Sequence, residues 1–266
     1  MKIEYHKHYS GHLGRDMEFK VYGHGGKPVL FIPCQAGRFW DFESFKMVDY
    51  WAKWFEEGKC MVFSIDTIDN EAWADKGGDC RRRIENHEKW YNYVVTEMVP
   101  TIHSMCERKD IMTFGASMGA MHAANLYYRR PDLFNGGCQA NSGLYDNKEF
   151  FGDYCDNLVY DNCPCLYLQN MPDDHYYKSM YNSQKSLILC GQGAWEEPLL
   201  ESTRWLDTVC CQKGINTRFE YWGFDVDHDW PWWYRMVEVY VPWFQNRPAS
   251  RRWHLGSGGL CENQSS

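Results

Sequence analysis

The sequence lacks the features that mark nucleic-acid-binding and membrane-spanning proteins. It has 28 Lys and Arg residues against 36 Asp and Glu residues, a formal net charge of −8 with no long run of either sign. This balance argues against a nucleic-acid partner, because phosphates call for a basic protein face. No apolar stretch approaches the roughly 20 residues of a membrane span, and no apolar segment of a secretion signal follows Met1. We therefore expect a cytoplasmic protein with neither a nucleic-acid nor a membrane partner.

Metal-binding and redox cysteine spacings are also missing, although the sequence holds 12 cysteines. The close pair Cys163-Pro164-Cys165 does not have the Cys-x-x-Cys spacing, and no set of His and Cys residues stands near it. We predict neither a metal nor any other cofactor. Cysteines that fall in apparent strands and helices are expected to be reduced thiols in the protein interior. These are Cys34, Cys106, Cys138, Cys190 and Cys210.

Strand patterns alternate with helix patterns along most of the chain. Strands are predicted at 17–22, 28–33, 61–65, 111–114, 136–140, 186–190 and 218–222. Helices are predicted at about 42–55, 85–108, 118–128, 198–213 and 230–244. Alternation at this spacing predicts an α/β fold whose central sheet is mainly parallel and carries helices on both faces.

One long segment interrupts this alternation. Residues 146–184 are rich in Asn, Asp, Tyr and Pro and show little periodicity, so we predict an inserted cap or long loop there. No internal repeat stands out, and the length fits a single domain over 1–246. The tail 247–266 combines an Arg pair with glycines and polar residues and is expected to be disordered. The sequence leaves a homo-oligomer open.

The turn Gly115-Ala116-Ser117-Met118-Gly119 stands between a predicted strand and a predicted helix. A bare Gly-x-Ser-x-Gly is a weak signal, but this position is typical of the sharp turn that projects a nucleophilic serine in the α/β-hydrolase fold. The flanking residues must be small, because the turn presses against neighbouring strands. We predict Ser117 as the nucleophile of a serine hydrolase, the alternative being a structural turn with an idle serine.

A serine hydroxyl needs a general base that a carboxylate orients, and in this fold the chain order is Ser, acid, His. His228 follows the last predicted strand and precedes the last predicted helix, so it is the predicted base. The acid is expected just after the strand 186–190, where spacing does not separate Glu196 from Glu197. Either glutamate could instead begin the next helix, where a negative charge is favourable.

Backbone N–H groups are predicted to form an oxyanion hole. One donor is Met118, at the start of the helix after the nucleophile. The second is expected in the loop after the strand 28–33, where Gln35 and Ala36 are the candidates.

Aromatic residues make up 17% of the sequence and include 13 Trp. Most such rings belong to a protein core, but some are expected to line the cleft, where amphipathic rings are common. The predicted substrate contacts are Trp195, Trp230 and Tyr145.

These motifs resemble those of the putative esterase family, which includes esterase D (S-formylglutathione hydrolase), feruloyl esterases and mycobacterial mycolyltransferases. The resemblance covers about 2–244 and rests on five stretches of the sequence. They are Gly115-Ala116-Ser117-Met118-Gly119-Ala120, Arg130-Pro131-Asp132-Leu133-Phe134, Asn141-Ser142-Gly143, Cys190-Gly191-Gln192-Gly193 with Glu197, and His228-Asp229-Trp230.

The resemblance implies a catalytic triad of Ser117, Glu197 and His228, and so favours Glu197 over Glu196 as the acid. The oxyanion loop departs from the family, because Cys34-Gln35-Ala36-Gly37 stands where a His-Gly-like pair is usual.

Together these features predict a serine carboxylesterase that hydrolyses a small-molecule ester with a short-chain, aryl or sugar acyl group through an acyl-enzyme on Ser117. Two alternatives stay open. One is an acyltransferase to a sugar or another alcohol that uses the same triad. The other is a non-catalytic binding protein on the same scaffold, which a missing base or acid would favour.

Overall fold

An eight-stranded sheet forms the centre of the structure, a computed structural model that describes residues 1–245. The strands are β1 (Ile3–Ser10), β2 (Arg15–Tyr22), β3 (Lys27–Ile32), β4 (Cys60–Ile65), β5 (Met112–Ala116), β6 (Gly137–Asn141), β7 (Ser186–Cys190) and β8 (Arg218–Tyr221). Their order in the sheet is β1-β2-β4-β3-β5-β6-β7-β8. The pairs β1–β2 and β2–β4 are antiparallel, and all other neighbours are parallel.

Eleven α-helices are found in the described part of the chain. They are α1 (Asp41–Ser44), α2 (Met47–Glu56), α3 (Cys80–Tyr93), α4 (Val99–Met105), α5 (Met118–Arg129), α6 (Asn147–Phe151), α7 (Asn157–Asp161), α8 (Pro164–Gln169), α9 (Tyr177–Ser183), α10 (Glu197–Lys213) and α11 (Trp230–Gln245). The predicted insert 146–184 thus contains four short helices, α6 to α9. The predicted tail 247–266 lies outside the described residues.

Apolar side chains form two separate clusters, one on each face of the sheet. In β3, Leu30 and Ile32 belong to one cluster, while Val29 and Phe31 belong to the other. The first cluster takes in α3, α4, α5, α10 and the insert, and the second takes in α2 and α11. The predicted α/β fold, with helices on both faces of a mainly parallel sheet, is therefore confirmed.

Two predicted helices are interrupted in the structure. The pattern at 85–108 becomes α3, a π-helical turn (Val94–Met98) and α4, with Pro100 in the first turn of α4. Proline lacks an N–H and its ring displaces the carbonyl of the preceding turn, which the wider π turn accommodates. The pattern at 42–55 is divided into α1 and α2 at Lys46, whose φ is +59°.

Five cysteines expected to be reduced are free thiols, namely Cys34, Cys106, Cys138, Cys190 and Cys210. Burial raises the pKa of the Cys138 and Cys210 thiols to about 12. Cys211, which the sequence did not single out, is disulfide-bonded. Within residues 1–245 no helix is both long and apolar enough to cross a bilayer.

Candidate active site

Ser117 lies at the predicted junction, between β5 and α5, with φ +57° and ψ −130°. The glycines on either side make this turn possible. A Cβ on Gly115 would lie 2.2 Å from the carbonyl oxygen of Gly119, and a Cβ on Gly119 would lie 2.2 Å from the carbonyl oxygen of Ile32. Because neither contact is tolerable, only glycine lets β5 and α5 approach each other and the end of β3 so closely. Ser117 itself is a non-glycine residue with a positive φ. Such backbone strain costs about 1–3 kcal/mol and is concentrated at functional sites.

His228 lies in the loop between β8 and α11, and its ring faces the serine. Its Nε2 is 2.8 Å from Ser117 Oγ. The loop is tied to the one after β7, because the His228 N–H donates to the Ala194 carbonyl at 3.0 Å and the Gly193 N–H donates to the Val226 carbonyl at 2.9 Å. The imidazole is thereby held where Nε2 can accept the serine proton.

The carboxylate beside His228 is that of Glu196. This residue is fully buried, and its Oε2 lies 3.3 Å from His228 Nδ1. Glu197 is exposed and is the first residue of α10, where its charge suits the helix N terminus. The structure thus places Glu196, and not the Glu197 that the resemblance implies, beside His228. The cause is local, since Trp195 has φ +68° and turns the chain so that the next side chain points inward.

Ser142 lies between Glu196 and the imidazole, and the sequence predicted no role for it although its stretch belongs to the resemblance. Its hydroxyl donates to Glu196 Oε1 at 2.6 Å, and its Oγ is 2.7 Å from His228 Nδ1. A hydroxyl has one proton, so the oxygen remains free to accept from Nδ1–H. The carboxylate thus reaches the ring both directly and through Ser142. The available signal was its place just after β6, because the carboxyl ends of neighbouring parallel strands meet at one edge of a sheet.

The predicted oxyanion donors differ in their availability. Met118 is the first residue of α5, so its N–H has no partner within the helix. The Ala36 N–H, in contrast, donates to Asp69 Oδ2 at 3.1 Å, which removes it from the predicted hole. Gln35 is exposed on the same loop and remains a candidate.

The three predicted substrate-contact residues have different surroundings. Burial raises the pKa of Tyr145, and the proximity of the Ser117 side chain partly offsets this rise. Trp230 stacks on Phe45, with ring centroids 4.5 Å apart. Trp195 is 79% exposed. The structure thus brings Tyr145 to the nucleophile and leaves Trp195 open to solvent.

The structure offers no candidate metal centre in the region it describes, since no group of three or more His, Cys, Asp or Glu side chains is suitably placed there. The chemistry that the assembled residues can perform is proton transfer and nucleophilic attack by a hydroxyl.

Comparison with solved structures reveals the same fold. The chain is similar to a ferulic acid esterase, with 16% identity, a TM-score of 0.71, and 92% of this chain and 98% of that one covered. It is similar to an S-formylglutathione hydrolase from Agrobacterium tumefaciens, with 16% identity, a TM-score of 0.65, and 91% and 94% covered. It is also similar to MPT51 of Mycobacterium tuberculosis, with 14% identity, a TM-score of 0.68, and 92% and 98% covered.

At such identities these structures establish the α/β-hydrolase fold and nothing finer. No curated protein matches the chain in sequence. The model of the family described as "Putative esterase" matches residues 10–243, which is most of the chain. The protein therefore belongs to the putative esterase family.

Proposed function

We propose that the protein hydrolyses small esters with short-chain, aryl or sugar acyl groups through an acyl-enzyme on Ser117. The observation that carries this proposal is the 2.8 Å contact between Ser117 Oγ and His228 Nε2 at a strained strand-to-helix turn. A hydroxyl next to a positioned base is the activated nucleophile that acyl transfer requires.

In the first half-reaction, His228 Nε2 takes the proton as Ser117 Oγ bonds to the ester carbonyl carbon. Glu196, with Ser142, stabilises the resulting imidazolium. The electron pair moves to the carbonyl oxygen, where the N–H groups of Met118 and Gln35 would bind it. When the intermediate collapses, the bond to the alcohol oxygen breaks and that oxygen takes the proton from His228.

In the second half-reaction, water attacks the acyl-enzyme with His228 again as the base, and the acid is released from Ser117. The His228 side chain is 13% exposed, and the nearby loop residues Gln35 and Trp195 are exposed. This exposure gives water an approach to the base that activates it.

Exposed aromatic rings support an aryl or sugar group in the substrate. Phe45, stacked on Trp230, is 43% exposed, and Trp195 is 79% exposed. Such rings offer flat faces on which another ring can pack.

A panel of nitrophenyl esters of increasing acyl length, with feruloyl and acetyl-sugar esters, tests the proposal. We expect Ser117→Ala to lower turnover by at least about 10³-fold while the far-UV circular dichroism stays unchanged. A fluorophosphonate should label Ser117 in the wild type, as peptide mapping would show. Ser202→Ala is the matched control, since that serine is buried but its hydroxyl bonds only the Pro198 carbonyl of its own helix. Near-normal turnover in Ser117→Ala would refute the assignment.

A further inference from the structure

A buried carboxylate joins the loop after β3 to the helix that follows the nucleophile. Asp69 begins a 3-10 turn (Asp69–Glu71) after β4 and is 2% exposed. One of its oxygens lies 2.8 Å from Nε2 of His122, and the other accepts the Ala36 N–H at 3.1 Å. His122, which is 1% exposed, lies on α5 five residues after Ser117. Asp69 therefore links the loop that carries the oxyanion candidates to the nucleophile helix.

This pair is hard to explain as a contribution to stability alone. Removing a carboxylate and an imidazole from water is unfavourable, and a buried pair often gains little over apolar residues of the same size. Of the two contacts that Asp69 makes, only the hydrogen bond from the Ala36 N–H involves an exposed residue. A role in fixing the conformation of the loop explains why the Asp69 carboxyl group is buried here.

The Ala36 backbone needs such support. Its φ is +56°, in the left-handed region that is unfavourable for a residue with a Cβ. The bond to Asp69 fixes the peptide plane between Gln35 and Ala36, and with it the conformation of Gln35. The far end of the loop is fixed separately, because Asp66 Oδ1 accepts from Arg38 Nε and from the Phe39 N–H, each at 2.8 Å.

His122 is itself held by rings that leave it little freedom. It stacks on His87 with ring centroids 5.2 Å apart and an interplanar angle of 20°, and Trp90 lies 5.2 Å away at 47°. Burial holds the pKa of His87 well below its usual range, so the stacked partner is neutral. These ring contacts fix the position of His122, and the contact with His122 in turn fixes the Asp69 side chain.

We infer that Asp69, supported by His122, is a positioning residue that keeps the oxyanion loop in its active conformation. The inference rests on the proposed function, because it assigns Gln35 as the loop's donor. A donor to an oxyanion accelerates the reaction only if it is already oriented when charge develops. A loosened loop therefore lowers kcat and leaves ester binding, reported by KM, nearly unchanged.

Three variants test this role by nitrophenyl ester kinetics. In Asp69→Ala the Ala36 N–H loses its acceptor, and we expect kcat to fall about 10- to 100-fold with KM within about twofold. Asp69→Asn should recover most of this loss. Its amide oxygen can accept from Ala36, while its NH₂ can donate to His122 if the ring proton moves to Nδ1.

Asn125→Ala is the matched control for lost stability. Asn125 is 3% exposed, lies on the same helix, and bonds Asn162 at 2.8 Å rather than the loop. It should lower the melting temperature without lowering kcat.

A trifluoromethyl ketone, which adds to the serine as a tetrahedral oxyanion, provides a second readout. Its affinity should fall in Asp69→Ala by about the factor lost in kcat/KM. A kcat within threefold of wild type, or an equal fall in Asn125→Ala, would overturn the inference.

If Asp69→Ala does not fold, His122→Phe replaces it, since phenylalanine keeps the ring stack and removes Nε2. We then expect a kcat about 3- to 10-fold lower, and an unchanged kcat would contradict the positioning role. Failure of the proposed function would look different: ester turnover would be absent in the wild type or would survive Ser117→Ala. That result would refute both proposals, whereas a Ser117-dependent activity that Asp69→Ala leaves intact refutes only this one.

Discussion

Replacing Glu196 with glutamine removes one buried negative charge and keeps the size of the side chain. The carboxylate lies 3.3 Å from His228 Nδ1 and accepts the Ser142 hydroxyl at 2.6 Å. Glutamine can keep one acceptor oxygen for Ser142, but its NH₂ then faces Nδ1–H, so two donors meet. The imidazolium formed during attack loses its counter-charge, and the tautomer with the proton on Nδ1 keeps only Ser142 Oγ as an acceptor.

The size of the effect follows from the distance. Two unit charges 3.3 Å apart interact by about 5 kcal/mol at an effective dielectric constant of ~20. Each 1.36 kcal/mol is tenfold in rate, so the full interaction corresponds to roughly 10³–10⁴. In serine proteases with a Ser-His-Asp triad, replacing the aspartate with asparagine lowers kcat about 10⁴-fold. We expect Glu196→Gln to lower kcat by about 10³-fold, because Ser142 retains one hydrogen bond to the ring.

Glu197→Gln is the matched control, since it makes the same change one residue later at an exposed helix start. It should lower stability by at most about 1 kcal/mol and leave kcat within a few-fold of wild type. Steady-state kinetics on one activated ester, with urea unfolding of each variant, separates the two residues. A large loss of kcat in Glu197→Gln, together with a near-normal kcat in Glu196→Gln, would refute the assignment of the acid. If neither loses more than a few-fold, Asp225 and Asp227 are the next residues to test.

Two further predictions concern packing and pH. In Gly119→Ala the new Cβ would lie 2.2 Å from the Ile32 carbonyl oxygen, so we expect a loss of about 1–3 kcal/mol in urea unfolding and a marked loss of turnover. Gly77→Ala, where nothing lies within 4 Å of the new Cβ, should change neither, and equal behaviour of the two variants would contradict the close approach. Burial raises the pKa of Cys138 from about 9 to about 12, so between these pH values the folded thiol keeps a proton that the unfolded thiol loses. The free energy of unfolding should therefore fall by about 1.4 kcal/mol per pH unit for this thiol. Urea unfolding of Cys138→Ala between pH 9 and 11 should show a slope shallower by that amount, and an unchanged slope would refute the shift.

The inner strands could be predicted from the sequence because every side chain in them is buried. In β3 and β4 each position faces one of the two cores, which produces the continuous apolar runs. β1 was missed for the opposite reason. It lies at the edge of the sheet, pairs only with β2, and alternates exposed with half-buried residues, so His, Lys and Tyr dominate its sequence.

The nucleophile and the base could be placed because the fold orders them along the chain and sets each after a strand. The acid could not be resolved, because Glu196 and Glu197 follow the same strand and only the backbone of Trp195 decides which of them faces inward. A left-handed tryptophan is unusual, and no sequence pattern indicates one.

The acceptor of the Ala36 N–H could not be predicted, because it is distant in sequence. The Ala36 N–H is taken by Asp69, 33 residues later in the chain. Small residues in a loop after a strand indicate that N–H groups can approach a ligand, but they do not reveal which N–H already has an acceptor. Hydrogen bonds between separate loops require the tertiary structure.

The strained backbone provides an independent reason to place the function at this edge of the sheet. Among residues 1–245, five non-glycine residues have left-handed φ, and four of these lie in the loops or turns that follow β3, β5, β6 and β7. These are Ala36, Ser117, Ser142 and Trp195, and their strands are neighbours in the sheet. Glycine would relieve the strain at each position, yet a side chain is retained. Ser117 and Ser142 contact the imidazole through their hydroxyls, and Trp195 precedes the acid that it turns inward. The strain therefore lies at the residues that assemble the site around His228, which is the distribution expected when the backbone conformation serves catalysis.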